Sequence, residues 1–413
     1  MVKNELKNVG SVGNDTILNN LIKQRFIKIK KVNPINNILY FDNAATTPVH
    51  PEVITAIADT LTNIYGNPSS LHSIGQNAKQ ILMNSRNIIA NHINCKPNEI
   101  IFTSGACEAN SLAIRGYMDC HKNTTLITTR IEHKSITSLC ENENYDIRYV
   151  SVDKYGCVNL DDLDRICKEL SNEKTSILVS IQSANSEIGT IQDIKKIGDI
   201  VHKYNGVFHT DATQLFPYQK INVNSLKIDM LSMSGQKINA PKGIGFLYVK
   251  EGIKLKPLIY GSQMEFRRGG TENIPYITGL AKAIELLDYD NRNMKNMQYY
   301  LFSQLSDMEF DYRANGYMLN RLPNNINISF KGIEGESLII LLDCNNICVS
   351  TTSACNSISL KPSAVLEEIG VPEDYIHGTI RITLPHDVKK ADVNYFLDIL
   401  KESVTKLESV MRD

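Results

Sequence analysis

Three residue types in this chain stand where covalent chemistry could be done. Lys237 follows the apolar run DMLSMS through Gly235-Gln236. At the end of a sheet strand a lysine opens into the crevice where α/β proteins bind ligands. There an ε-amine can form a Schiff base with an aldehyde cofactor. Asp211 ends the strand-like VFHTD, a costly place for a carboxylate unless something pairs with it. A protonated pyridine nitrogen is such a partner, and Gln214, three residues on, can reach the ring's phenolic oxygen. Cys355, in STTSACNSISLKPS, has nothing apolar larger than alanine within two positions, whereas a structural cysteine usually sits in an apolar run.

Other residues fit around these. FTSGACEAN reads as strand, turn and helix, so Gly105, Ala106 and Cys107 offer backbone N–H groups at a helix start, a ready phosphate cradle. It is neither a Walker A motif nor a dinucleotide fingerprint and does not imply a nucleotide. His133 in RIEHKS, and Asn185 and Ser186 in SIQSANSEIG, each follow a strand. Taken singly, each has a plainer reading: a surface lysine, a helix N-cap aspartate, a structural histidine.

The elements that must position these residues alternate. HPEVITAIADTLTNI puts Ile54, Ile57, Ala58, Leu61 and Ile64 on one helical face. Short apolar strands follow at IIFTSG, TLITTR, YDIRYVSV, TSILVSI, GVFHTDA, DMLSMS and GIGFLYV, with helical stretches such as LDDLDRICKEL between several of them. That order predicts an α/β fold with a mainly parallel sheet covered on both faces. From about residue 293 the texture changes to a helix, the strand NNINISF, the apolar ESLIILLD, the Cys355 loop, TIRITL and a final helix. The 413 residues exceed what one core usually organises. The expected division is an N-terminal extension at 1–37, a large cofactor-binding domain at 38–292, whose first ten or so residues pack with the small domain, and a small α+β domain at 293–413 that carries Cys355.

Composition narrows the function classes. A net charge of −1 gives no field that would steer the chain to nucleic acid or to a membrane, and no apolar run of about 18 residues occurs. The nine cysteines are an odd number without a Cys-x-x-Cys pair, so a reducing, cytoplasmic setting is expected rather than a disulfide scaffold. Cys344 and Cys348 could share a helix face but lack further ligands for a metal, and no metal is expected. Residues 16–31 carry five basic residues and no acid with apolar residues at helical spacing, which suits a docked amphipathic helix; an import segment and a partner-binding surface share that composition.

In order, YFDNAATTP, GNPSSLH, FTSGACEAN, IEHKS, ANSEIG, HTDATQ, MSGQK, RRGGTEN, STTSACNS and GTIRITL resemble the cysteine desulfurases, pyridoxal-phosphate enzymes of the class V aminotransferase group with the fold type I architecture. The likeness runs from about Tyr40 to the C-terminal helix. It implies that Lys237 holds pyridoxal 5'-phosphate covalently, Asp211 pairs with the pyridine nitrogen, His133 stacks on the ring and Gln214 binds the phenolic oxygen. Ser234, Gln236, Ala106 and Cys107 would bind phosphate, Ser186 would meet the ring oxygen, and Thr271 would reach the phosphate of a neighbouring subunit in a homodimer. Arg381 would grip the substrate carboxylate, with Asn185 beside it. Cys355 would be the nucleophile that takes sulfur from L-cysteine as a persulfide, leaves alanine, and passes the sulfur to an acceptor protein. The spacing from Cys355 to Arg381 resembles the long-loop branch that includes the iron–sulfur cluster assembly enzymes; tRNA thiolation and dedicated sulfur pathways are other destinations. Two other readings stand beside this one: a related lyase acting on selenocysteine or another amino acid, and a non-catalytic scaffold.

Four departures from the family pattern bear on the site. Gln236 replaces a histidine and Cys107 a threonine at the phosphate. Ser186 replaces the second asparagine of the strand-end motif. Met264, Glu265 and Phe266 interrupt the segment before Arg268. Weaker cofactor retention and a specialised role are the expected consequences.

Overall fold

The computed structural model describes residues 38–351 and 362–412, with side chains through Ser409. The basic segment at 16–31 and Cys355 lie outside the described residues.

Strand β1 (Leu39–Tyr40) precedes seven strands that form the main sheet: β2 (Ile100–Thr103), β3 (Thr124–Thr128), β4 (Asp146–Tyr149), β5 (Ser176–Ser180), β6 (Val207–Asp211), β7 (Met230–Ser234) and β8 (Gly245–Val249). Among the described residues their order is β2-β8-β7-β6-β5-β3-β4. All adjacent pairs are parallel except those of β8, which runs antiparallel to both neighbours. Each strand anticipated from an apolar run is present. Strands β2, β3, β7 and β8 are buried along their whole length, as a sheet covered on both faces requires. The largest apolar core lies around this sheet and extends from Val53 to Leu322.

A second core gathers Phe41 with Met294, Leu301, Ile326, Leu338, Ile380, Phe396 and Leu400. Its sheet runs β12 (Thr379–Thr383), β10 (Asn325–Phe330), β9 (Tyr312–Ala314), antiparallel throughout. Strand β1 lies beside β11 (Ile347–Cys348), and Asp42 bridges to Thr383 of β12. A third cluster joins Val365, Leu366 and Ile369 to Ile131 and Ile188, so the chain that follows the Cys355 segment packs against the strand-end loops of the main sheet.

One expectation fails. Cys344 and Cys348 share no helix face: the helix Gly335–Cys344 ends at Cys344, Asn346 takes φ 61°, and Cys348 belongs to β11. Asparagine is one of the few non-glycine residues that tolerate this left-handed conformation.

Candidate active site

A cleft of about 290 Å³ opens at the carboxyl ends of β5, β6 and β7. Ala44, Ala45, Gly105, Ala106, Cys107, His133, Ser186, Asp211, Gln214, Ser234, Gln236, Lys237 and Arg381 line it together with Gln182 and Thr213. Residues spread over more than 300 positions of sequence thus meet, because parallel strands carry their C-terminal residues to one edge.

The helix Ala106–Cys120 starts at the rim. Gly105, its N-cap, has φ 151° and ψ −175°, a region essentially closed to residues with a Cβ. A Cβ there would lie 3.4 Å from Ser234 Oγ. Glu108 folds back to accept from the Ser104 N–H at 2.6 Å and pairs with Arg268 at 2.8 Å. Burial raises its carboxyl, but these donors outweigh burial and hold it below its ordinary value.

Asp211 is buried, with Oδ1 accepting the Thr213 N–H at 3.0 Å and Oδ2 accepting from Asn110 Nδ2 at 2.7 Å. The same amide donates to Ser135 Oγ at 2.9 Å. Ser135 in turn meets His133 Nδ1 through Oγ at 2.9 Å and its N–H at 3.1 Å. A carboxylate and a backbone N–H each have one sense only, which fixes the chain of donors. Asn110 donates to Asp211 and Ser135, His133 Nδ1 accepts, and the imidazole proton sits on Nε2. Burial lowers the His133 pKa; the Asp211 charge opposes this and Lys237 adds to it. Beside His133, Glu132 is fully buried and pushed up to about 8 by burial, with the Asp211 charge adding, against donation from Thr129 and the Gln182 N–H.

The segment Asp42–Thr47 closes the other side. Asn43 Nδ2 donates to Thr383 O and Ala44 N to Thr383 Oγ1, both at 2.9 Å. This lays the Ala44 and Ala45 carbonyls against Lys237 Nζ, which donates to both. Gln214 Nε2 donates to Ala44 O at 3.2 Å. Arg381, 2% exposed, pairs through Nη2 with Asp42 Oδ1 at 2.8 Å and through Nη1 with Ser186 O at 3.3 Å. Its Nε meets no acceptor among the described residues.

Two residues singled out from the sequence stand elsewhere. Asn185 is buried and is not among the residues lining the cleft, its amide donating to Ile131 O at 3.0 Å and its oxygen accepting from the N–H groups of Glu187 and Ile188. Thr271 is exposed and is not among the residues lining the cleft of its own chain. Met264, Glu265 and Phe266 are not among them either. They take φ of 48°, 58° and 63° in succession, a strained run for residues with side chains.

Asn110, Ser135, Glu132 and Asp42 are the site-forming residues the sequence reading passed over. Asn110 lies one turn beyond the phosphate loop inside the same FTSGACEAN motif, and that spacing was the available signal. Asp42 lies inside YFDNAATTP, but nothing local marks its partner Arg381, 339 positions away.

The aminotransferase class-V family model matches residues 39–396. The chain belongs to that family. Among its relatives, a cysteine desulfurase IscS of Methanosarcina thermophila is 41% identical over 391 residues, covering 92% of this chain and 95% of the relative. One from Dictyoglomus turgidum is 41% identical over 382 residues, covering 90% and 96%. Among solved structures, a NifS-like protein superposes with a TM-score of 0.83 at 32% identity, over 90% of this class-V chain and all of the other. SspA in complex with cysteine gives 0.73 at 33% identity, over 84% and 99%. Among the described residues no helix is long and apolar enough to cross a membrane.

Proposed function

We propose that this chain is a pyridoxal-phosphate-dependent cysteine desulfurase that converts L-cysteine to L-alanine and takes the sulfur onto Cys355 for delivery to an acceptor protein. The observation that carries the reading is the convergence of Lys237, Asp211, His133, the Gly105 turn and Arg381 on one cleft. The residues fit the cofactor. Gly105 holds the helix start in a backbone conformation essentially closed to residues with a Cβ, beside Ser234. The buried Thr213 Oγ1, in a residue of the cleft wall, has no partner among the described residues. A buried carboxylate held by neutral donors suits a pyridinium nitrogen. Bound through Lys237, the cofactor supplies the electron sink for C–S cleavage.

The chain's own residues do the rest. The helix-start N–H groups of Ala106 and Cys107, with Ser234 and Gln236, would hold phosphate. Asp211 would hold the ring nitrogen protonated, Gln214 and Ser186 would face the ring oxygen, and His133 would present an Nε2–H on the face it covers. Arg381 would bind the substrate carboxylate through a guanidinium already oriented by Asp42. Cys355 Sγ would attack the substrate sulfur: an S–S bond forms, the C–S bond breaks, and the carbon is protonated as alanine leaves. Thr271, exposed outside its own cleft, would complete the phosphate site of a neighbouring subunit, so the reading includes a homodimer.

The test is alanine and sulfide formation from L-cysteine plus a reductant by the purified protein, with Cys355→Ser alongside. Both products from wild type and neither from the variant are expected. A fully active variant overturns the persulfide step. A wild type that carries the cofactor yet yields no alanine from L-cysteine overturns the substrate assignment and points to another amino acid.

A further inference from the structure

His209 has no part in the chemistry above, yet it is wholly buried and bonded at both ring nitrogens. Nδ1 lies 2.9 Å from Ser180 Oγ on β5, and Nε2 lies 2.9 Å from Ser232 Oγ on β7. All three residues are 0% exposed. Burial pushes the ring down to about 4, with the Asp211 charge opposing, so it is neutral, with one N–H to donate and one nitrogen to accept. Two hydroxyls satisfy both.

The position of this row matters. His209 pairs in register with Ser180, and Asp211 with Ser232. Strand side chains alternate between faces with period two. Ser180, His209 and Ser232 therefore share a face with the residues two further on: Asp211 on β6, Ser234 on β7 and, where β5 has just ended, Gln182. Those three line the cleft. The chain Ser180–His209–Ser232 ties three adjacent strands together, with His209 one step beneath Asp211 and Ser232 reached diagonally at the level of Asp211. Apolar residues would fill the same volume without fixing a lateral spacing, whereas hydrogen bonds lose strength steeply with distance and angle.

We propose that His209 is a positioning residue that, through Ser180 and Ser232, sets the spacing between Asp211 and Ser234, and hence the distance between the ring-nitrogen contact and the phosphate contact of pyridoxal phosphate. This rests on the cofactor reading above. The His209–Ser232 bond joins the two strands that carry Asp211 and Ser234, and the His209–Ser180 bond does not. The two serines thus serve as test and control.

The experiment compares wild type, Ser180→Ala, Ser232→Ala and His209→Asn as full-length, cofactor-loaded proteins. It reads the release rate of pyridoxal phosphate, the absorption maximum of the bound cofactor, and the thermal midpoint of each cofactor-free protein. Each serine variant loses one neutral hydrogen bond in the same core, so similar small losses of stability are expected from both. Release should quicken about two- to tenfold in Ser232→Ala, with a shifted absorption maximum, and less in Ser180→Ala. His209→Asn, too short to span both hydroxyls, should behave at least as Ser232→Ala does. Equal losses of stability with wild-type release and absorption in all variants would show that the row only holds the core, and would overturn the proposal alone. A wild type in which borohydride fixes no cofactor on the Lys237 peptide would overturn the cofactor reading and this proposal together.

Discussion

Glu132→Gln isolates the energetic consequence of burying a carboxyl next to the site. Glu132 Oε1 accepts from Thr129 Oγ1 at 2.7 Å and Oε2 from the Gln182 N–H at 2.9 Å. Burial moves its pKa from 4.5 up to about 8. The folded protein therefore binds a proton that the unfolded chain releases above about pH 4.5. Stability from this group is fully present below that value, falls as pH rises, and is lost once pH passes the folded value. At about 1.36 kcal/mol per unit, the gap amounts to roughly 5 kcal/mol as an upper bound. Glutamine has the shape of the protonated acid: its oxygen can accept from Gln182 N–H while its amide donates to Thr129 Oγ1. Glu132→Gln should match wild type near pH 5 and exceed it progressively toward pH 8.5, by a few kcal/mol. The assay is urea unfolding of both cofactor-free proteins across that range, read as the difference between them. A constant offset at all pH values would refute the reasoning.

Further outcomes follow from the same geometry. Gly105→Ala places a side chain at φ 151° and ψ −175° beside Ser234 Oγ; pyridoxal-phosphate affinity should fall roughly tenfold or more, and an unchanged dissociation constant in equilibrium titration would exclude the cradle. Asn110→Leu leaves Asp211 Oδ2 and Ser135 Oγ without their donor, at about 1–3 kcal/mol for an unsatisfied buried group; faster cofactor release in stopped-flow exchange checks it. Arg381→Lys keeps the charge but loses the fork, so KM for L-cysteine should rise about tenfold or more with cofactor content unchanged by absorbance. Restoring the family residues with Gln236→His, Cys107→Thr and Ser186→Asn should slow cofactor release, and no change would show that these substitutions do not set retention.

The seven strands of the main sheet, and the residues that end them, were legible without coordinates, because a strand buried on both faces must be a short apolar run and a polar residue at its end is conspicuous. Lys237, Asp211, His133 and the Gly105 turn announce themselves in that way. Tertiary structure alone decided what links them. The Asn110 amide joins Asp211, through Ser135, to His133 from a neighbouring helix, Asp42 reaches Arg381 across 339 positions, and Ser180 and Ser232 meet His209 from the two strands beside it. It also moved Asn185 off the cleft wall, since a strand-end asparagine can spend its amide on backbone as readily as on a ligand. Residue type and local spacing report what a side chain can do; which partner it meets depends on how strands and helices far apart in sequence are brought side by side, and the sequence carries no local mark of that pairing.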